Sequence, residues 1–261
     1  METVDHHGRT TAYQHMDRGG AGTPVLCVHG SGGTHEVWKG QLARLASERP
    51  VAALDLSGHG ESTDIDTDPG PATLAAYAHD VIAVAEATGA GTLVGNSLGG
   101  AVVLHIALET TFVPDALVLV GTGARLSVRD DLLAALQSDF ESAIETLHSD
   151  DLLFHTEATS YHEMSRAALR AAGPRITYRD FATCDQFDVR DQLDTIECPT
   201  LALTGEHDGL TPPWYHEYLA EHIPNAEWTT IPQAAHLSML EQPDGFNEAV
   251  STFLRNHCDP A

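Results

Sequence analysis

Three residues in this chain have types and an order that could do chemistry: a serine among glycines, a later loop aspartate and a late histidine. The serine lies in Gly95-Asn96-Ser97-Leu98-Gly99-Gly100, between the apolar run 92–94 and a helical run from Ala101 to Leu108. On a tight strand-to-helix turn a serine is held in a strained backbone geometry that exposes its hydroxyl above the sheet. Glycines flank it because a Cβ would clash where strand and helix approach. The same turn aims the first unpaired N–H groups of a helix at whatever the serine attacks.

A hydroxyl is a weak nucleophile until a base accepts its proton and a third group orients that base. Asp208 follows the strand-like Leu201-Ala202-Leu203-Thr204, and His236 follows the last strand-like run, Glu227 to Ile231. Ser97, Asp208 and His236 thus stand in the order that a strand–turn–helix nucleophile requires, each at the end of a strand. Glu206 is the fallback acid, since an aspartate before Gly209 could simply form a turn. His236 is one of 16 histidines, set apart from His222 and His257 by its position after the last strand. Acyl transfer also needs donors for an oxyanion. The N–H of Leu98 is one, and the glycine-rich His29-Gly30-Ser31-Gly32-Gly33 places the N–H of Ser31 as the second.

Something must hold these residues at one end of a sheet. Short apolar runs at Val25–Val28, Val51–Leu54, Leu93–Val94, Leu117–Val120, Leu201–Leu203 and Glu227–Ile231 alternate with amphipathic stretches, which predicts a mostly parallel α/β sheet covered on both faces. Thr3–Asp5 and Thr10–Met16 around His7-Gly8 read as a hairpin. Helices are expected over 37–47, 73–88, 98–108, 213–222 and 245–255, with Thr73 and Thr211 as N-caps and Pro212 and Pro213 in a first turn. From about 124 to 197 the strand rhythm stops. Leu132, Leu133, Leu136, Phe140, Ile144 and Leu147 recur at helical spacing, and Ser138 with Glu141 has capping-box form. A further helix around 163–172 is broken by Gly173-Pro174. This block reads as a helical lid inserted in one domain spanning 1–261, lying over the sheet's C-terminal edge where ligands bind.

Composition narrows the partners. The 261 residues hold 38 Asp plus Glu against 13 Lys plus Arg, a formal net charge of −25, and Lys39 is the sole lysine. Such a surface repels nucleic acid and anionic membranes. The near-loss of lysine resembles proteins of salt-accumulating cells, so the melting temperature should rise from dilute buffer to ~2 M salt as self-repulsion is screened; no gain would refute a halophilic origin. No apolar run reaches the ~18 residues of a membrane span, and the start has neither a basic nor an apolar leader region. Four scattered cysteines (Cys27, Cys184, Cys198, Cys258) lack metal-ligand spacing and read as reduced thiols, which points to the cytoplasm.

The motifs together resemble the α/β-hydrolase fold over nearly the whole chain. The landmarks are His29-Gly30, Asp55-Leu56-Ser57-Gly58-His59-Gly60-Glu61-Ser62, the serine turn, Gly205-Glu206-His207-Asp208 and His236. The resemblance implies that His59 packs a structural turn and is not a base. Serine at 97 argues against haloalkane dehalogenases and epoxide hydrolases, whose nucleophile is aspartate. Carbon–carbon hydrolases share the Gly95-Asn96-Ser97 form but usually carry tryptophan where Leu237 stands. Enol-lactone hydrolases resemble Ala235-His236-Leu237-Ser238 through Glu241-Gln242-Pro243. The resemblance therefore implies a serine hydrolase of small esters or lactones using no cofactor and no metal, with carbon–carbon hydrolysis, acyl transfer or perhydrolysis as alternatives and a non-catalytic ligand-binding protein as a remote one. Oligomeric state stays open.

Several other features admit a bland reading. Asp64-Ile65-Asp66-Thr67-Asp68 alternates carboxylates like a calcium loop, but Pro69 and Ala75 stand where glycine and an acid belong, so it reads as an acidic surface loop. Arg166, Arg170, Arg175 and Arg179 could bind a substrate carboxylate or pair with neighbouring acids. Phe154, Tyr161, Phe181 and Phe187 suit either an acyl pocket or lid packing, and Trp38 and Trp214 suit core or rim.

Overall fold

A computed structural model describes residues 1–149, 151–157 and 159–258. The chain opens with a hairpin, β1 (Glu2–His6) and β2 (Arg9–Met16), whose turn places His7 and Gly8 at positive φ. Then follow β3 (Val25–Val28), α1 (Lys39–Arg44) between two short 3-10 turns, β4 (Val51–Leu54), α2 (Pro71–Thr88), β5 (Thr92–Asn96), α3 (Leu98–Glu109) and β6 (Ala116–Val120). Three helices intervene: α4 (Asp130–Ser138), α5 (Phe140–Leu147) and α6 (Thr159–Asp185). The chain closes with β7 (Thr200–Gly205), α7 (Pro213–His222), β8 (Ala226–Ile231), α8 (Ser238–Glu241) and α9 (Pro243–His257).

The strands form one sheet in the order β1-β2-β4-β3-β5-β6-β7-β8. Its first two pairings are antiparallel and the rest parallel. Successive strand residues point to opposite faces, and here they feed two separate cores. Leu26, Val28, Leu93, Leu117 and Leu119 pack with Tyr77, Val81, Val102 and Ile106 of α2 and α3. Their neighbours Val25, Cys27, Val94, Val118 and Val120 pack with Leu42, Phe246, Val250 and Phe253 of α1 and α9. Burial on both faces explains why the strands read as apolar runs without polar alternation.

Between β6 and β7 the helices build a third core of their own, Leu132, Leu136, Ala143, Ile144, Leu147 and Leu169. The neck of this insertion is pinned where Val189 N–H donates to Ala124 O (2.8 Å) and Arg125 bridges Asp188. Gly173, at φ 78° and ψ 170°, breaks the helical path of α6 as the Gly-Pro pair predicts, but the helix resumes and runs on to Asp185. Asp150 and Ala158, within the expected lid, lie outside the described residues.

The cap expectations need correction. α2 starts at Pro71 after Gly70, so Thr73 is its third residue, and its hydroxyl donates to Asp68 O instead of capping. Pro212, not Thr211, precedes α7; the Thr211 hydroxyl is bound to Asp208. α4 ends at Ser138 as expected, yet Asp139 caps α5 by accepting the Ser142 N–H. In each case a nearby partner, a main-chain carbonyl for Thr73 and a neighbouring acid at the other two, displaced the expected cap.

Candidate active site

β3 lies between β4 and β5, so the chain leaves the adjacent C-terminal ends of β3 and β5 into the two loops that carry Ser31 and Ser97. Ser97 sits between β5 and α3 at φ 55° and ψ −116°, a strained conformation for a side chain-bearing residue that typically costs ~1–3 kcal/mol. The turn allows no alternative. A Cβ on Gly95 would stand 2.3 Å from Gly99 O, and one on Gly99 2.4 Å from Val28 O. Ser97 N–H donates to Val120 O, while Ser97 O accepts from Ala101 N–H and the Thr122 hydroxyl. The Ser97 side chain makes no capping bond to α3, so its hydroxyl is not spent on the helix it precedes.

His236 is buried in the loop after β8, and its Nδ1 lies 2.9 Å from Asp208 Oδ2. Asp208 is fully engaged. Its Oδ1 accepts the Leu210 and Thr211 N–H groups at 2.9 and 2.8 Å, and its Oδ2 accepts both threonine hydroxyls, Thr204 and Thr211, at 2.8 Å. Burial alone would raise the Asp208 pKa, but the facing imidazole and these donors hold it below the usual carboxylate range. An ionised Asp208 must therefore take a proton donor from His236, which puts the hydrogen on Nδ1 and leaves the lone pair on Nε2. Glu206, the fallback acid, is exposed and faces His207 at 3.8 Å.

Ser97 and His236 line one cleft with two lobes, of about 70 and 240 Å³, that share Ser31, Leu147, Phe181 and Leu210. The smaller lobe runs along Gly30–Thr34. The larger is walled by Leu126, Val128, Leu132, Leu152 and Tyr215, largely from the insertion. Leu98 opens α3, so its N–H has no carbonyl one turn earlier to bond. Phe181 is the one of the four expected aromatics that lines both lobes; Phe154 and Phe187 are core residues. Tyr161 packs at the core's margin beneath Lys39. Trp38 is buried and Trp214 exposed. The arginines of α6 are matched by acids: Arg166 with Glu145, Arg170 with Glu141, and both Arg175 and Arg179 with Asp64 of the acidic loop.

Two positioning acids escaped sequence reasoning. Asp180 of α6, fully buried, accepts from Gly32 N–H (3.0 Å), His59 Nε2 (2.9 Å) and the Tyr77 hydroxyl (2.6 Å). It ties the insertion to the Ser31 loop, and His59 is indeed a packing residue. Burial would raise the Asp180 pKa, yet His59 and these donors hold it low. Glu241 accepts Ala235 N–H at 2.7 Å through Oε2, and the His155 and Thr156 N–H groups at 2.9 and 2.7 Å through Oε1. It thereby joins the His236 loop to the insertion. Nothing local marks Asp180 among 38 acids, and Glu241 stood out only as part of the segment shared with enol-lactone hydrolases, with no role attached.

Two buried histidines are held neutral by burial, each with its pKa lowered from 6.5 to about 4. His29 Nδ1–H donates to Gly30 O while Nε2 accepts the Leu56 N–H, and His216 Nε2 accepts the Thr122 N–H. Because the unfolded chain protonates first, these groups withdraw stability as pH falls from about 6.5 towards 4. The loss is about 2 kcal/mol apiece by pH 5. His35 and His59 are raised and act with the opposite sign, so the test is a difference. His216→Gln, which keeps an acceptor for Thr122, should lose about 2 kcal/mol less than the wild type between pH 7 and 5 in urea unfolding. Parallel curves would contradict a neutral buried His216.

A model of the alpha/beta hydrolase family matches residues 25–249. The chain belongs to the alpha/beta hydrolase family. Its sheet and helical cap are those of the fold, as the sequence resemblance implied. Among relatives, it is 27% identical to a pimeloyl-acyl-carrier-protein methyl ester esterase of Neisseria meningitidis, over 85% of this chain and 90% of that one. Among solved structures, a thermophilic esterase superposes with a TM-score of 0.85 at 32% identity, covering 98% and 97% of the two chains. Est816, described as an N-acyl homoserine lactone degrading enzyme, gives 0.84 at 25% identity, covering 97% and 100%. Relatives bearing esterase and hydrolase names thus surround this chain, which is an enzyme of the alpha/beta hydrolase family. No helix among the described residues is long and apolar enough to cross a membrane.

Proposed function

We propose that this chain hydrolyses carboxylic esters or lactones of small molecules through an acyl-enzyme on Ser97. The observation that carries the proposal is the His236–Asp208 pair. An imidazole whose Nδ1–H is committed to an ionised carboxylate keeps a basic Nε2 in the cleft that Ser97 lines. His236 would take the serine proton as Oγ attacks the carbonyl carbon, and Asp208 would stabilise the imidazolium so formed. The N–H groups of Leu98 and Ser31 would bind the oxyanion; removing one such donor typically costs roughly 3–4 kcal/mol of transition-state stabilisation. Proton return from His236 would release the alcohol, or in a lactone the tethered hydroxyl. Water, deprotonated by His236, would then free the acid and regenerate Ser97.

The 124–197 insertion would act as the lid, presenting its apolar wall to one arm of the substrate. The relatives named for ester and lactone cleavage support the same substrate class. The test is turnover of aryl esters of graded acyl length and of lactones in high salt. Acid release from at least one series is expected. Absence of turnover together with an unreactive serine would instead leave a ligand-binding member of the fold.

A further inference from the structure

Outside the cleft, the segment of the insertion that leaves α5 meets the loop that carries Asp208. Asp151 O accepts the Gly209 N–H at 2.8 Å, which pins the two segments together, and Asp151 itself is held at φ 57°. The Asp151 carboxylate and the rings of His155 and His207 then converge. His155 Nδ1 lies 2.6 Å from Asp151 Oδ1, and the two imidazoles stack with centroids 3.7 Å apart and planes 8° from parallel. One donor atom from each of the three lies within 4.8 Å of the others.

We propose that Asp151, His155 and His207 hold a divalent cation of the zinc class. Two imidazoles and one carboxylate form the N,N,O donor set that such borderline ions take, with a fourth position open to water. Ligand atoms around a tetrahedral ion with ~2.1 Å bonds sit about 3.4 Å apart. Closing from the present spacing opens the imidazole stack, so that the in-plane lone pairs of the two rings converge, by rotation of three side chains that reach solvent. The ion takes the place of the hydrogen now shared by His155 and Asp151. A net charge of −25, with Glu206 beside His207, favours cation capture. Once bound, the ion clips the insertion to the acid loop, beside Leu152 and Gly209 of the larger lobe.

The test is calorimetric titration of Zn²⁺ into the full chain at high ionic strength with a weakly coordinating anion, with melting temperature read in parallel. One equivalent should bind and raise the melting temperature. His155→Ala and His207→Ala should each weaken that binding at least about tenfold and abolish the rise, while His222→Ala, at the C-terminal end of α7, changes neither. If either histidine variant melts lower without metal, Asp151→Asn supplies the same reading. Binding that is non-stoichiometric, or that survives both histidine variants, would overturn the site.

Discussion

Ser97→Ala should reduce ester turnover by about five to six powers of ten, to the residue left by the oxyanion donors and binding alone. The fold should not notice. The alanine Cβ occupies the position the serine Cβ holds now, at the same positive φ, and the Ser97 side chain contributes no cap to α3. The backbone bonds to Val120, Ala101 and Thr122 remain. Melting temperature and circular dichroism should therefore match the wild type while steady-state hydrolysis vanishes. Activity within tenfold of the wild type would remove the serine from the mechanism.

Asp208→Asn should lower kcat by about three to four powers of ten near neutral pH with little change in KM. The reason lies in how its bonds divide. An asparagine oxygen can still accept the Leu210 and Thr211 N–H groups, and one threonine hydroxyl can turn to accept one of the two amide hydrogens while the other faces His236. His236 cannot adapt without cost. Facing an NH₂ donor, its Nδ1 must become the acceptor, which moves the hydrogen to Nε2 and removes the base. The imidazolium would also lose its counter-charge. Pre-steady-state measurement should find both acylation and deacylation slowed, since His236 serves as base in each, and unchanged rates would show that Asp208 is not the orienting acid.

The sheet was legible because strands buried on both faces must be apolar throughout, and β3, β4 and α7 came out with the bounds their residues implied. The Gly95–Gly100 turn was legible for a related reason: only glycine permits the contacts with Gly99 O and Val28 O, so the steric demand is written in residue type. Helix starts were not, since the Thr73 and Thr211 hydroxyls turn back to partners three to five residues upstream, Asp68 O and the Asp208 carboxylate, instead of capping. Asp180 and Glu241 were hidden more deeply. Each links loops from distant parts of the chain, Asp180 to Gly32 across 148 positions, and an acid in so acidic a chain carries no local mark of such a role. The cluster at Asp151, His155 and His207 likewise exists only because the insertion folds back onto the β7 loop.

Peptide mapping by mass spectrometry after brief exposure to an alkyl fluorophosphonate most directly examines whether the position-97 hydroxyl is activated by the position-236 imidazole. A single phosphonyl group on Ser97 is expected, formed at least about a thousandfold more slowly in His236→Ala. Modification of another residue, or a rate indifferent to His236, would contradict the account.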